Sequence, residues 1–306
     1  MVTNRFRMLS NAVCIGMLLV LLAGALVTNT GSGRGCGDDW PLCHGKFIPA
    51  YTLESLIEYT HRAVSGIVGL LVLALFIVVI RHYRQHREAL FYSGTALFFT
   101  IVQALLGAAA VMWPQSPPVM ALHFGFSVLA FASTMLMVLW AYRMRRPTDE
   151  QTSKPVVPRT LFKLSLLAFV YIYIIIYIGA FIRHTKSSGG CLGWPLCNGE
   201  LIPEISGAAG IVFIHRIAAL LFLIGVTALA VYINKQTEHK GLRKSGAWIV
   251  GLVVAQVFSG ALVTWTIGDD KSFIFTSLLH NLIISVLFGL LADLCIRSWK
   301  LSKGGS

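Results

Sequence analysis

Four histidines in apolar stretches are the residues of this sequence whose type and spacing best suit chemistry: His61, His123, His215 and His280. Neutral imidazole is a common ligand of porphyrin iron. Ionisable side chains inside membrane-spanning segments usually mark functional sites. One such histidine alone would more simply be a polar residue near a membrane interface. Four in a repeated pattern favour two pairs of axial ligands, and therefore two haems.

The chain around these histidines is duplicated. His61 and His215 are 154 residues apart, and His123 and His280 are 157 apart. Similar offsets, between 153 and 155 residues, separate further pairs: Cys36 and Cys191, Cys43 and Cys197, Gln103 and Gln256, Gly107 and Gly260. Such steady offsets over several motifs indicate that each half of the chain contains the same structural unit.

One acidic residue distinguishes the two halves. Glu58 lies one helical turn before His61, which places both side chains on one helix face, whereas the matching position before His215 is Val212. A carboxylate there is suited to proton transfer. The helix dipole also favours a carboxylate near a helix start, but the dipole alone does not account for the difference between the halves. We therefore predict a catalytic role for Glu58.

An arginine directly follows the first histidine of each half. Arg62 and Arg216 come near the start of apolar helices, where free backbone N–H groups and the helix dipole favour anions. Haem propionates are carboxylates that arginine binds well. The alternative is that these arginines only extend toward the membrane interface.

Four cysteines lie in the two repeated loops before these helices. Cys36 and Cys43 are seven residues apart, and Cys191 and Cys197 are six apart. Neither spacing is that of a thioredoxin-like or haem-attachment motif. Each pair is able to close a small loop as a structural disulfide. The alternative for the first pair is a redox-active dithiol, because two aspartates at 38–39 lie between the thiols.

The elements that position these residues are membrane helices. The chain has 306 residues, of which 56% are hydrophobic and 12% charged, and its apolar blocks reach the roughly 20 residues that a helix needs to cross a bilayer. We predict an all-α membrane protein with eight transmembrane helices, near 10–27, 61–80, 90–112, 119–142, 161–182, 211–233, 246–267 and 275–297. The repeat predicts two tandem four-helix bundles related by a pseudo-twofold axis along the membrane normal. The halves are 1–142 and 161–306, joined by a cytoplasmic linker over 143–160.

Most lysines and arginines fall in segments that share one side of this topology, so the positive-inside rule predicts a cell-membrane protein with both termini cytoplasmic. The cysteine loops are then outside, and all four histidines lie near the outer face. The net charge of +12 is explained by this distribution and by attraction to anionic membrane lipid, and does not indicate nucleic-acid binding.

The loop sequences GCxxDWPLCxG and GCxGWPLCxG, the EYTHR segment over 58–62 and the four histidines resemble those of the haem A synthases, in particular the bacterial type with cysteine pairs in the outer loops. The resemblance covers essentially the whole chain. It implies an oxidoreductase that converts haem O to haem A, oxidising the porphyrin C8 methyl to a formyl group by successive hydroxylations. Haem A serves haem-copper terminal oxidases. The resemblance also implies two partners, a haem O synthase and an electron donor.

The resemblance also implies roles for individual residues. His215 and His280 hold the iron of a haem b cofactor, and Arg216 meets its propionates. His61 and His123, together with Arg62, line the site of the substrate haem. Glu58 is the catalytic acid, Cys36 and Cys43 form the pair of the first loop, and Cys191 and Cys197 form the disulfide of the second.

Three other functions fit parts of the pattern. A di-haem electron-transfer protein predicts two permanent, equivalent haems and no need for Glu58. An outer-face thiol oxidoreductase predicts that Cys36 is essential and His280 dispensable. A haem transporter fits the repeated halves, but its sites would span the membrane instead of sharing one depth.

Overall fold

Eight long helices make up most of the chain that the structure describes. The structure is a computed structural model that describes residues 2–47, 52–113, 116–144 and 157–303. The helices are α1 (Asn4–Asn29), α2 (Leu53–His82), α3 (Arg87–Met112), α4 (Pro117–Arg143), α5 (Arg159–His184), α6 (Gly207–Gln236), α7 (Lys240–Trp265) and α8 (Asp270–Lys303). All eight are long and apolar enough to cross a membrane. Within the described ranges there is no β-strand, and the predicted all-α membrane class is confirmed.

The helices begin earlier than the apolar blocks that predicted them. The second span was expected to start at 61, but α2 starts at Leu53. The reason is local hydrogen bonding, since the Thr52 side chain accepts from the Ser55 amide at 3.2 Å and so caps polar turns beyond the apolar stretch. His61 therefore lies about two turns inside α2. Most of the predicted linker, residues 145–156, lies outside the described residues.

Each half of the chain forms a ring of four helices. The chain divides into two compact units, Met1–Arg146 and Pro147–Ser306. In the first unit every helix packs against the next along the chain, and α1 closes the ring against α4. The second unit repeats this order, with α5 closing against α8. Consequently α2 and α4 lie at opposite corners of one ring, and α6 and α8 at opposite corners of the other. The pseudo-twofold axis stays a prediction.

The two cysteine loops share one design. Cys36–Cys43 and Cys191–Cys197 are disulfide-bonded, as the spacing allowed. In each loop the second cysteine opens a tight hairpin turn, in which the backbone amide and carbonyl of the cysteine pair with those of the residue three positions later. The two central turn residues, at 44–45 and 198–199, have positive φ, which characterises a type I′ turn.

Candidate functional site

The four histidines form one pair in each unit, as predicted. His61 on α2 and His123 on α4 are close enough to interact electrostatically, and so are His215 on α6 and His280 on α8. All four rings are half-buried. Each pair comes from opposite corners of its helix ring, which is an arrangement suited to holding a flat ligand between two imidazoles.

Every one of these rings packs against a glycine on the helix that precedes its own. A Cβ added to that glycine would approach the ring carbon Cε1 closely. The distances are 3.1 Å for Gly24 and His61, 3.5 Å for Gly107 and His123, 3.1 Å for Gly179 and His215, and 3.3 Å for Gly260 and His280. We call these glycines the ring seats. Because a distance below 3.4 Å is tighter than most real Cβ contacts, three of the four seats require glycine if the ring is to keep its place.

The donor set fits an iron porphyrin. The Nδ1 atoms of His61, His123 and His215 are buried and have no hydrogen-bond partner in the described part of the chain, which is uncommon for a buried polar atom. A porphyrin supplies its own equatorial nitrogens, so the iron takes two axial ligands from the protein. Each unit offers two imidazoles for that purpose.

Glu58 is buried and its carboxylate is fully engaged. The residue is only 3% exposed. Its Oε2 accepts from the Cys36 backbone amide at 2.8 Å, and its Oε1 forms an ion pair with Arg62, one helical turn later. Glu58 therefore joins the first histidine-bearing helix to the first disulfide loop, a contact that the sequence did not reveal.

The second unit replaces this polar junction with an apolar one. Val212, at the position of Glu58, packs in a buried cluster with Ile182 and the disulfide Cys191–Cys197. The first cysteine loop therefore contacts α2 through the Glu58 carboxylate, whereas the second contacts α6 through hydrocarbon side chains. This contrast gives structural content to the difference between the halves.

Both arginines anchor their loops, a role that sequence reasoning missed. Arg62 donates from one guanidinium nitrogen to the carbonyls of Asp39 and Leu42, each at 2.8 Å. Arg216 donates to the carbonyls of Cys191 at 2.9 Å and Leu196 at 3.2 Å. The predicted contacts with haem propionates would need some of these same N–H donors. The Nε of Arg62 is buried and has no hydrogen-bond partner among the described residues.

The loops also approach the following helices very closely. A Cβ at Gly35 would overlap the backbone of Glu54, and one at Gly190 would overlap that of Ala208. Only glycine permits this contact, so each disulfide loop is pinned to the first turn of α2 or α6. The loops accordingly sit at the helix ends that carry the first histidine of each pair.

Comparison with known proteins adds independent information. A family model described as cytochrome oxidase assembly protein, COX15-CtaA, matches residues 50–292. A heme A synthase of Symbiobacterium thermophilum is 40% identical over 282 residues, which cover 91% of this chain and 90% of that protein. Heme A synthases of Alkalihalophilus pseudofirmus and Exiguobacterium sibiricum are 37% and 36% identical, and the matches cover 94% and 99% of this chain and 96% and 98% of those proteins.

Proposed function

This chain belongs to the COX15-CtaA family of haem A synthases, and we propose that its two units divide the oxidation of haem O between them. The protein is a multi-pass membrane oxidoreductase of haem A biosynthesis. In our proposal the second unit holds a haem b cofactor between His215 and His280. The first unit receives haem O near His61 and His123, where its C8 methyl is converted to a formyl group.

The observation that carries this division is the contrast between Glu58 and Val212. A buried carboxylate lies one turn from His61, and hydrocarbon occupies the same place beside His215. Oxidation of a methyl group requires the removal of protons, which a carboxylate accepts. A haem that only passes electrons needs no such group, so the unit that contains Glu58 is the better candidate for the reaction.

The side chains around Glu58 assign it a fixed position. Arg62 and the Cys36 amide each hold one of its two oxygens. Glu58 is thus held ready to take a proton from the substrate side. The Cys36–Cys43 loop covers this end of α2, where Glu58 is only 3% exposed. The alternative for this disulfide is that it also exchanges electrons.

In the second unit the role of the chain is to bind the haem b cofactor. Haem b supplies one-electron transfer when it is bound. His215 and His280 are the residues that would ligate its iron. We infer that Arg216, whose guanidinium also bonds to the carbonyls of the second loop, would meet a propionate. We infer that an external donor delivers electrons to this haem, and that a haem O synthase supplies the substrate.

The basic residues agree with a cell-membrane orientation in which both termini are cytoplasmic. The last turns of α2, α4, α6 and α8 each carry a lysine or arginine. Within each unit, these helix ends lie at the opposite end of the four-helix ring from that unit's cysteine loop. By the positive-inside rule we infer that the loops and the histidine pairs are at the outer face.

The function is tested by extracting porphyrins from cells that express this chain, with and without a supply of haem O. Mass analysis is expected to find haem A only when both the chain and haem O are present. A di-haem electron-transfer protein would retain haem b and leave haem O unchanged, and this result would contradict the proposed reaction.

The ring seats give a second test. Gly179→Ala places a methyl group against the His215 ring at 3.1 Å, and crowding of this kind costs about 1 kcal/mol or more. We expect roughly fivefold weaker retention of haem b, measured as haem remaining per protein after gel filtration. Gly225→Ala, on α6, the helix that carries His215, is the control, because a Cβ there meets no described atom within 4 Å. Equal haem loss in both variants would contradict the seat.

A further inference from the structure

We propose that Ser259 is a positioning residue for His280, and that its hydroxyl sets the tautomer and orientation of the ring so that Nε2 is offered to iron. This inference rests on the proposed function, in which His280 holds the haem b cofactor. It assigns a role to a serine of α7 that belongs to no motif of the sequence.

The Ser259 hydroxyl bridges two groups. Ser259 is 2% exposed, and its Oγ lies 2.8 Å from the Gln256 carbonyl oxygen and 2.8 Å from Nδ1 of His280. A hydroxyl has one proton to donate. Both contacts are hydrogen bonds only if that proton goes to the Gln256 carbonyl, which is an acceptor, and Oγ accepts from His280. In that arrangement Nδ1 carries the ring proton and Nε2 carries the lone pair.

The Gln256 side chain does not decide between the two tautomers. Its amide nitrogen lies 3.0 Å from Nε2 and 3.2 Å from Nδ1 of His280. A position nearly equidistant from both ring nitrogens is near Cε1 and out of line with either lone pair, so the tautomer is assigned from Ser259. The Gln256 Oε1 is buried and has no hydrogen-bond partner among the described residues.

The first unit lacks this arrangement. By the offset that relates Gln103 to Gln256, the position of Ser259 corresponds to Leu106. The Gln103 amide points to the Met17 sulfur at 3.6 Å. Nδ1 of His123 has no hydrogen-bond partner, and its ring interacts with the Gln103 backbone. No serine hydroxyl takes the place that Ser259 has in the second unit.

This difference suits a second unit that keeps its haem permanently and a first unit that exchanges its haem. An acceptor on the far nitrogen of an iron-ligating histidine fixes the ring and raises its basicity. A more basic ligand favours ferric iron and slows haem loss. These properties suit a cofactor that stays bound. The first unit, which must admit a substrate haem and release a product haem, has Leu106 at the position of this serine.

The test uses the purified, haem-loaded membrane protein and the Ser259→Ala variant. We expect haem b affinity to fall by about 10–100-fold. We also expect the ferric-to-ferrous equilibrium of the remaining haem to shift about tenfold toward ferrous, which is about 59 mV in midpoint potential. Spectroelectrochemical titration measures the potential and haem transfer to apomyoglobin measures the affinity. Leu106 at the matching position indicates that the fold accepts an apolar side chain here.

Two further variants make the result specific to the hydroxyl at His280. Ser259→Thr keeps the hydroxyl and is expected to restore the potential of the parent protein. Ser285→Ala removes another buried serine, on α8, whose hydroxyl bonds only to the Asn281 carbonyl among the described residues, and is expected to change neither quantity. Equal potentials and affinities in Ser259→Ala and the parent would overturn the inference, as would a Ser259→Thr potential equal to that of Ser259→Ala. A parent protein without haem in the second unit would overturn the proposed function as well.

Discussion

Replacing Glu58 by Gln is expected to stop haem A formation while the protein stays folded and keeps the haem of its second unit. Gln preserves the shape of the side chain and one acceptor for the Cys36 amide, so the loop remains attached. It neither accepts a proton nor carries the charge that pairs with Arg62. Loss of a general base commonly slows a reaction by 10²–10⁴-fold, and we expect haem A yield to fall by at least about 100-fold.

The measurement is the ratio of haem A to haem O in extracted pigment, together with the haem b content of the purified variant. Glu54→Gln is the matched control, because Glu54 is an exposed carboxylate on the first turn of the same helix. It should leave the haem A yield unchanged. Normal haem A formation by Glu58→Gln would remove the catalytic role assigned to this residue.

The second large effect is expected from His280→Ala. This change removes one of the two proposed axial ligands of the second unit and leaves Ser259 and Gln256 without their ring partner. We expect the purified variant to lose the tightly held haem b, with content reduced at least about tenfold. The first unit is built from other helices and should still bind haem O.

His123→Ala is the mirror experiment. It removes the corresponding ligand from the first unit, so haem b should be retained while haem O binding is impaired. Optical titration of each variant with haem O, after its haem b content is measured, separates the two sites. Loss of both haems in both variants, or of neither, would refute the assignment of one haem to each unit.

The sequence predicted the helices well because crossing a bilayer imposes a length and an apolar composition that a single chain reveals. It misplaced their starts, since the first turns of α2 are polar. The Thr52 side chain caps them by accepting a hydrogen bond from the Ser55 amide. The apolar composition of a segment gives no sign of such a bond. The depth of His61 within its helix was therefore underestimated.

Comparison of the two halves identifies the histidine pairs and Glu58, and the same repeat contains two further signals. Gly24 and Gly179 are 155 residues apart, the offset of the cysteines, yet a repeated glycine acquires meaning only when the ring above it is known. Ser259 of the second half corresponds to Leu106 of the first, so the repeat differs there, just as it differs between Glu58 and Val212. A serine in an apolar helix usually bonds to its own backbone, and only tertiary structure shows that this one also reaches His280.

Some contacts of Glu58 and of the two arginines are predictable from the sequence and others are not. The ion pair of Glu58 with Arg62 follows from i,i+4 spacing and could have been predicted. The hydrogen bond from the Cys36 amide depends on how the loop folds back, and so do the loop carbonyls that Arg216 binds. Spacing along the chain does not encode contacts between a loop backbone and a helix side chain.

The central claim is that paired imidazoles from alternate helices hold iron porphyrin within the membrane helices of this protein. The optical spectrum of the purified protein, expressed with ample iron and tetrapyrrole, tests it most directly. We expect the purified protein to show a Soret band and the sharp reduced α-band of a six-coordinate haem b. Both bands should disappear when His215 and His280 are replaced. A colourless protein, or a spectrum that those replacements leave unchanged, would contradict it.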